Sequence, residues 1–291
     1  MLQGVEGVTG YQNHFEGNTD WQDDMLSMGA LQNYNVSLSG GSNDIKYYTS
    51  LNRMVDEGAL YGTGYDKYGF RVNTSGRKGV FEFGENFFYT RSSRDNMGSS
   101  SWSNFISMPP TIPVYDANNP GGYGYGSSDR ANTYALNPVA QENINESVND
   151  EEYMYGNIYG QLNLFQDVFK AKLNVAYKSY YGITNKLRKK GNWTMGQGDD
   201  AASVSSSMAK HHDILIEHTY TFDKTFGKHD VDAMVGMSYN RFHEETRSAT
   251  KLDPLVVGDK YITSISAATG TTSATGGYTE SALISYLGRI N

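Results

Sequence analysis

The histidines are the first residues to consider for chemistry. His211 and His212 precede Asp213, a combination of residue types that can bind a metal ion. Adjacent residues of an extended strand point to opposite faces, so the two imidazoles are poorly placed to bind one ion together. The absence of cysteine excludes disulfide bonds and thiolate-bound metals. The sequence therefore predicts a polar strand start at 211–213, and neither a metal nor a cofactor.

A glycine-rich segment, GGYGYGSS, occupies 121–128. It does not follow a strand and open a helix, as a dinucleotide-binding fingerprint must. Asp116, Asn118 and Asn119 could begin a calcium loop, but the remaining acidic ligands do not follow at the required spacing. Asx-turn hydrogen bonding explains these residues more simply. With no nucleophile elbow and no metalloprotease helix in the sequence, we expect a protein that is not an enzyme.

Aromatic residues in the long segment from Arg91 to Glu151 suggest ligand binding instead. Aromatic faces pack against sugar rings and peptide side chains, and a few convergent polar groups complete a small-ligand pocket. The same side chains could pack the segment against itself or against a protein that caps it, and both interpretations stay open. The candidate ligand-binding residues are Trp102, Tyr115, Asp116, Tyr123 and Tyr125.

Strands must position these residues, because helical periodicity is nearly absent outside a possible turn or two within 23–31. In the segment 33–40, Tyr34, Val36 and Leu38 alternate with polar residues. This period of two is typical of a strand with one apolar face. Comparable alternation begins near residues 45, 67, 81, 154, 172, 214, 231 and 281, and in the strand that begins near 81, Glu85 breaks it on the apolar parity. The sequence predicts about nine strands.

The connections between these strands alternate in length. Short ones are expected at 41–44, 75–79, 165–170 and 223–228, and long ones at 55–65, 91–151, 179–210 and 241–280. Successive turns of an up-and-down sheet lie at opposite ends, so all the long loops share one end. Short periplasmic turns and long extracellular loops are typical of outer-membrane barrels, whereas a compact soluble domain rarely has several long loops. The predicted fold class is all-β, an antiparallel up-and-down transmembrane β-barrel.

Composition agrees with this fold class and excludes others. The chain of 291 residues has 38% hydrophobic residues, and no stretch approaches the ~18 consecutive apolar residues of a transmembrane helix. Its 23 tyrosines suit surfaces that are half wet, such as a membrane interface. A net charge of -8 argues against nucleic acid as a partner.

The strand pattern divides the chain into an extracellular loop at 1–32 and a partial barrel at 33–291. The first residues lack the basic start and apolar core of a signal peptide. Bacterial single-chain barrels have an even number of strands, and nine strands would leave two unpaired edges. We therefore expect this sequence to be an internal piece of a larger barrel.

Five segments carry a resemblance to a known family. They are NTDWQDDMLSMGALQNYNVSLSGGSNDIKYYTSLNRMVDEGAL (18–60), YDKYGFRVN (65–73), MPPTIPVYDANNPGGYG (108–124), DKTFGKHDVDAMVGMSYNR (223–241) and SYLGRIN (285–291). Each segment alone is weak evidence of a relationship. Together and in this order, the segments resemble the SusC/RagA family of TonB-dependent outer-membrane transporters of Bacteroidetes.

The resemblance implies a plugged barrel in the outer membrane of a Gram-negative cell, surrounded by lipid, with the long loops extracellular. It implies import of glycans (oligosaccharides) or peptides with a SusD-like surface lipoprotein, energised by TonB through a plug domain and TonB box. The plug domain, the TonB box and the remaining strands of that family's barrel are not found in this sequence. A passive porin or adhesin barrel would share the strand pattern, and a soluble carbohydrate-binding β-protein is the third alternative.

Overall fold

A computed structural model describes residues 18–97, 101–126, 135–191 and 201–291. Nine strands form one antiparallel sheet in which each strand pairs with the next one along the chain. The strands of this sheet are β1 (Leu31–Gly41), β2 (Ile45–Glu57), β3 (Gly64–Lys78), β4 (Phe81–Asn96), β5 (Asn145–Leu164), β6 (Phe169–Arg188), β7 (Ser203–Phe226), β8 (His229–Leu252) and β11 (Thr272–Ile290). The predicted all-β, up-and-down architecture is confirmed. The sheet is open, since β1 and β11 do not pair within the described residues.

The strands are longer than the alternation predicted, and the connections are correspondingly shorter. The long loops reduce to 58–63, 97–144, 189–202 and 253–271, and the strands β5 to β8 have 20 to 24 residues. A transmembrane strand needs only ~9–11 residues, so these strands are longer than a bilayer would require. Most of the added residues are polar on either face, which weakens the period of two that marked the rest. The alternation of short and longer connections remains.

The register places the apolar parity of all nine strands on one face of the sheet. Ile158, Val175, Ile216, Tyr239 and Ile284 pair in succession from β5 to β11, and neighbouring rows repeat the pattern. We call this the apolar face. As expected, Glu85 interrupts it, opposite Ile158. Most of the large exposed hydrophobic side chains of the nine strands lie on this face.

The opposite, polar face carries hydrogen-bonded side chains. Asn157 Nδ2 donates to Asn174 Oδ1 at 3.2 Å, and Asn174 Nδ2 donates to Glu217 Oε2 at 3.1 Å. This chain of bonds crosses β5, β6 and β7. These polar groups are partly buried, and the bonds between them satisfy their hydrogen-bonding capacity. One sheet therefore has two chemically distinct surfaces over its whole width.

The apolar face changes character toward the long-loop end. Nearer the short turns it carries aromatic pairs, such as Phe169 and Tyr220 with ring centroids 6.2 Å apart. Nearer the long loops it carries an ion pair between Arg53 and Asp66 at 3.3 Å. Aromatic and then charged rows at the margins of an aliphatic band are typical of a membrane boundary.

Three short helices and their loops pack together beyond the long-loop end of the sheet. The helices are α1 (Trp21–Met25), α2 (Ser101–Ser107) and α3 (Pro138–Ile144). A cluster that we call the loop core joins them: Trp21, Met25, Phe105, Met108, Ile112 and Val139. The helical turn expected within 23–31 begins earlier because the Asp20 carboxylate caps it, accepting from the backbone N of Gln22 at 3.1 Å.

A hairpin of β9 (Val256–Val257) and β10 (Lys260–Tyr261) lies in the loop before β11. The strand β1 begins at Leu31, two residues before the predicted domain boundary at 33. No helix in the described ranges is long and apolar enough to cross a membrane.

Candidate ligand-binding surfaces

Three of the five predicted ligand-binding residues come together in one turn. Tyr115 and Tyr123 form a backbone bridge, and their ring centroids are 5.5 Å apart. Tyr123 packs against the loop core, whereas the Tyr115 side chain is 64% exposed. The Oδ1 atom of Asp116 accepts from the backbone N and the Nδ2 of Asn118, at 3.0 and 3.2 Å. The Asx-turn interpretation of these residues is therefore confirmed.

The other two predicted residues lie outside this tyrosine turn. Trp102 is on α2, where it is 56% exposed and lies 5.1 Å, centroid to centroid, from the Phe105 ring in the loop core. Tyr125 is half-buried and follows Gly124. A side chain at Gly124 would collide with the carbonyl oxygen of Pro113, so this approach of two backbones requires glycine.

Asn137 holds the tyrosine turn in place, a role that the sequence did not predict. Its fully buried Nδ2 donates to the carbonyl oxygens of Val114 at 2.9 Å and Gly124 at 3.0 Å. Its Oδ1 accepts from the backbone N of Ala140, which caps α3. The sequence does contain a signal for the helix cap, because an asparagine directly before a proline is typical of the start of a helix.

The Tyr115 hydroxyl is electrostatically suited to donate a hydrogen bond at neutral pH. Partial burial raises its pKa first, and the neighbouring Tyr123, Tyr61 and Asp24 raise it further. Because the pKa of free tyrosine is already ~10, the ring stays neutral under physiological conditions. An exposed, neutral phenol beside an anchored second ring can stack on a ligand and bond to it.

The polar face offers a second surface, near the long-loop end of β5 and β6. The Tyr180 hydroxyl donates to Glu151 Oε1 at 3.0 Å, and Asn149 Nδ2 donates to the same oxygen at 2.9 Å. Thr184 Oγ1 in turn donates to Asn149 at 2.8 Å. Asn149, Tyr180 and Thr184 border a hollow of about 270 Å³ whose lining includes Gly182.

A third surface lies nearer the short turns. The Lys172 Nζ atom is 4.2 Å from the centroid of the Tyr159 ring, and the Tyr159 hydroxyl donates to Glu82 at 3.3 Å. Lys172 and Tyr159, with the hydrogen-bonded side chains from Asn157 to Glu217, border a hollow of about 360 Å³. The polar face thus presents fixed donors, acceptors and aromatic rings, which is chemistry for binding.

His211 and His212 lie on opposite faces of the sheet. His211 is on the polar face, 3.6 Å from Glu244, while the His212 Nδ1 atom is 2.7 Å from the Tyr177 hydroxyl on the apolar face. The two imidazoles therefore point to opposite faces, as predicted. Within the part of the chain that the structure describes, no group of three or more potential ligands could hold a metal ion.

Comparison with curated proteins identifies relatives along most of the chain, although no family model matches it. The chain is 24% identical to TonB-dependent receptor P3 of Formosa agariphila over 96% of its own length, and it spans 28% of that protein. It is 32% identical to TonB-dependent receptor P26 of the same organism over 49% of its length, and spans 14% of it. It is 23% identical to TonB-dependent receptor SusC of Bacteroides thetaiotaomicron, covering 78% of this chain and 24% of SusC.

Solved structures give the same fold. The chain superimposes on the RagAB peptide importer in the open-open state with a TM-score of 0.77 and in the closed-closed state with 0.73, at 18% identity in both. The likeness covers 95% of this chain and 31% of the solved one. The open nine-stranded sheet therefore matches a part of a larger barrel.

Proposed function

Because the chain belongs to the SusC/RagA-like TonB-dependent receptors, we propose that it forms part of the wall of an outer-membrane transporter importing oligosaccharides or peptides. The observation that carries the proposal is the register, which gives nine strands one continuous apolar face and one polar face. In such a wall, the apolar face contacts lipid and the polar face lines the lumen.

The long-loop end is extracellular in this proposal. The ion pair of Arg53 and Asp66, on the apolar face near the long loops, would then lie at the outer membrane boundary. The loop core, with residues 18–30 leading into β1, would stand above that boundary; residues 1–17 of the predicted extracellular loop lie outside the described residues. A SusD-like lipoprotein would cover this end.

The ligand would first meet the exposed aromatic residues. Tyr115 and Trp102 are both anchored to the loop core through a buried or half-buried aromatic neighbour, yet expose more than half of their surface. Rigid, exposed rings bind a ligand with little loss of side-chain entropy. Asp116, Tyr123 and Tyr125, which lie in or next to the same turn as Tyr115, would complete this binding surface. TonB would supply the energy for passage, acting through the plug of the complete receptor.

Uptake by cells tests the function. The complete receptor that contains this chain is expressed with its neighbouring lipoprotein in a Bacteroidetes host, and accumulation of labelled oligosaccharides and peptides is measured. We expect accumulation that is lost when the receptor gene or tonB is deleted. Uptake that persists without tonB would instead identify a passive porin, and recovery of the protein in the soluble fraction would identify a soluble binding protein.

A further inference from the structure

A glycine on the polar face of β3 creates a notch in the wall. Gly69 lies opposite Asn52 of β2 and Thr90 of β4. The hollow above it has a volume of about 220 Å³. A methyl group at Gly69 would lie 3.6 Å from the Thr90 Cγ2 and 3.7 Å from the Asn52 Cβ, which is ordinary contact. Neither crowding nor a left-handed backbone therefore requires glycine here.

Two cationic side chains border this notch. Lys67 and Arg71 precede and follow Gly69 by two residues, so they share its face, and both line the hollow. The Arg71 guanidinium carbon lies 5.1 Å from the centroid of the Phe88 ring. Stacking on a ring fixes the plane of a guanidinium while leaving its N–H edge free for a planar oxyanion.

Neither cation is neutralised by a carboxylate of the described chain. On the other face of the same strands, by contrast, Arg53 pairs with Asp66 at 3.3 Å and Arg91 pairs with Glu152 at 3.9 Å. Within the described ranges, Lys67 and Arg71 form no such ion pair. The chain as a whole is acidic, with a net charge of -8. Two neighbouring cations without an acidic partner beside a cavity therefore contrast with the charge of the rest of the chain.

We infer that the notch of Lys67, Gly69 and Arg71 binds an anionic group of the imported ligand, a carboxylate such as that of a peptide C-terminus or a uronic acid. Arg71 binds the two oxygens, Lys67 supplies a second charge, and Gly69 leaves room for the group to approach the backbone. Asn52 and Thr90 form the sides. The inference rests on the proposed function, because the polar face must line the lumen for a ligand to reach the notch.

Paired probes that differ by one charge test this inference. The purified complete receptor is titrated with trialanine and its C-terminal amide, and with cellobiouronic acid and cellobiose, using calorimetry. The acid of at least one pair should bind roughly tenfold tighter than its neutral partner, the effect of a charged hydrogen-bonded pair at a partly exposed site. Lys67→Gln with Arg71→Gln should reduce this preference to near unity.

Two further variants separate charge from shape and from folding. Gly69→Leu keeps both cations but fills the notch, and should also abolish the preference for the acid. Arg53→Gln removes a cation from the same sheet on the apolar face, and should retain it. The inference is overturned if neither acid binds, if the wild-type receptor shows no preference, or if the double variant keeps it.

The anion could instead come from an acidic side chain of another part of the receptor. In that case the wild-type receptor shows no preference for either acid, and the double variant lowers the melting temperature while Arg53→Gln does not. That result overturns the assignment to a ligand. Because binding is measured in detergent without TonB, a failure of the transport proposal leaves these titrations unaffected and can be recognised separately.

Discussion

The ring of Tyr159 on β5 lies across Gly84 on β4, so that a methyl group at Gly84 would come within 2.4 Å of the ring carbon Cε1. The ring cannot easily move away, because its hydroxyl bonds to Glu82 and Lys172 lies over its face. Gly84→Ala should therefore destabilise the receptor by ~1–3 kcal/mol, the usual cost of overpacking. Thermal unfolding of the purified complete receptor measures this.

Gly69→Ala is the matched control on the neighbouring strand. Its methyl group fits at 3.6 Å from the nearest atom, and glycine costs entropy in a strand. We expect no loss, and a gain of up to ~1 kcal/mol. Equal destabilisation by both substitutions would show that backbone flexibility, and not the position of the Tyr159 ring, decides the outcome.

Ile216→Arg tests the assignment of the apolar face to lipid. Ile216 lies between Val175 and Tyr239 in the central apolar row. A cation at the middle of the bilayer costs ~2–4 kcal/mol in a barrel. Urea titration of the complete receptor folded into lipid vesicles should show this loss.

Ser238→Arg is the control for that substitution. Ser238 adjoins Tyr239 but lies on the polar face, opposite Glu217, where an arginine meets water and a carboxylate. The stability should change little. If the two arginines were tolerated equally well, the apolar face would not be in contact with lipid.

The faces of the strands could be predicted from the sequence, but the contacts between strands could not. Alternation places Val175 and Ile216 on one face, yet a register shift of two residues would leave that pattern unchanged. The bond from Tyr180 to Glu151 and the notch at Gly69 depend on the register, so they appear only in the structure.

The strand ends were missed for a related reason. Most of residues 145–153 are polar, on both faces, and a strand that meets water on both sides has little hydrophobic period to detect. The hairpin of β9 and β10 was missed because each strand has only two residues, although its Gly258–Asp259 turn is a recognised hairpin signal. The loop aromatic residues could be selected by type, but the role of Asn137 in joining two loop segments could not.

Cysteine labelling tests which end of the sheet is extracellular. The chain contains no cysteine, so a single introduced thiol reports one position of it. Asp259 lies exposed in a long loop, and Lys228 lies exposed in a short turn. On intact cells, a membrane-impermeant maleimide should label Asp259→Cys and not Lys228→Cys, with the parent receptor as background. Labelling of Lys228→Cys alone would reverse the proposed orientation.

Tyr115→Ala and Phe105→Ala separate ligand binding from loop packing. Tyr115 is 64% exposed, so its removal should leave the melting temperature nearly unchanged and weaken binding of the imported ligand by about fivefold, the effect of one aromatic contact. Phe105 is 3% exposed within the loop core, and its removal should cost ~3–5 kcal/mol of stability. Ligand titration and thermal unfolding of each purified variant measure the two effects. If Tyr115→Ala lowered stability without changing affinity, the tyrosine turn would serve to pack the loops, and the ligand would have to bind elsewhere.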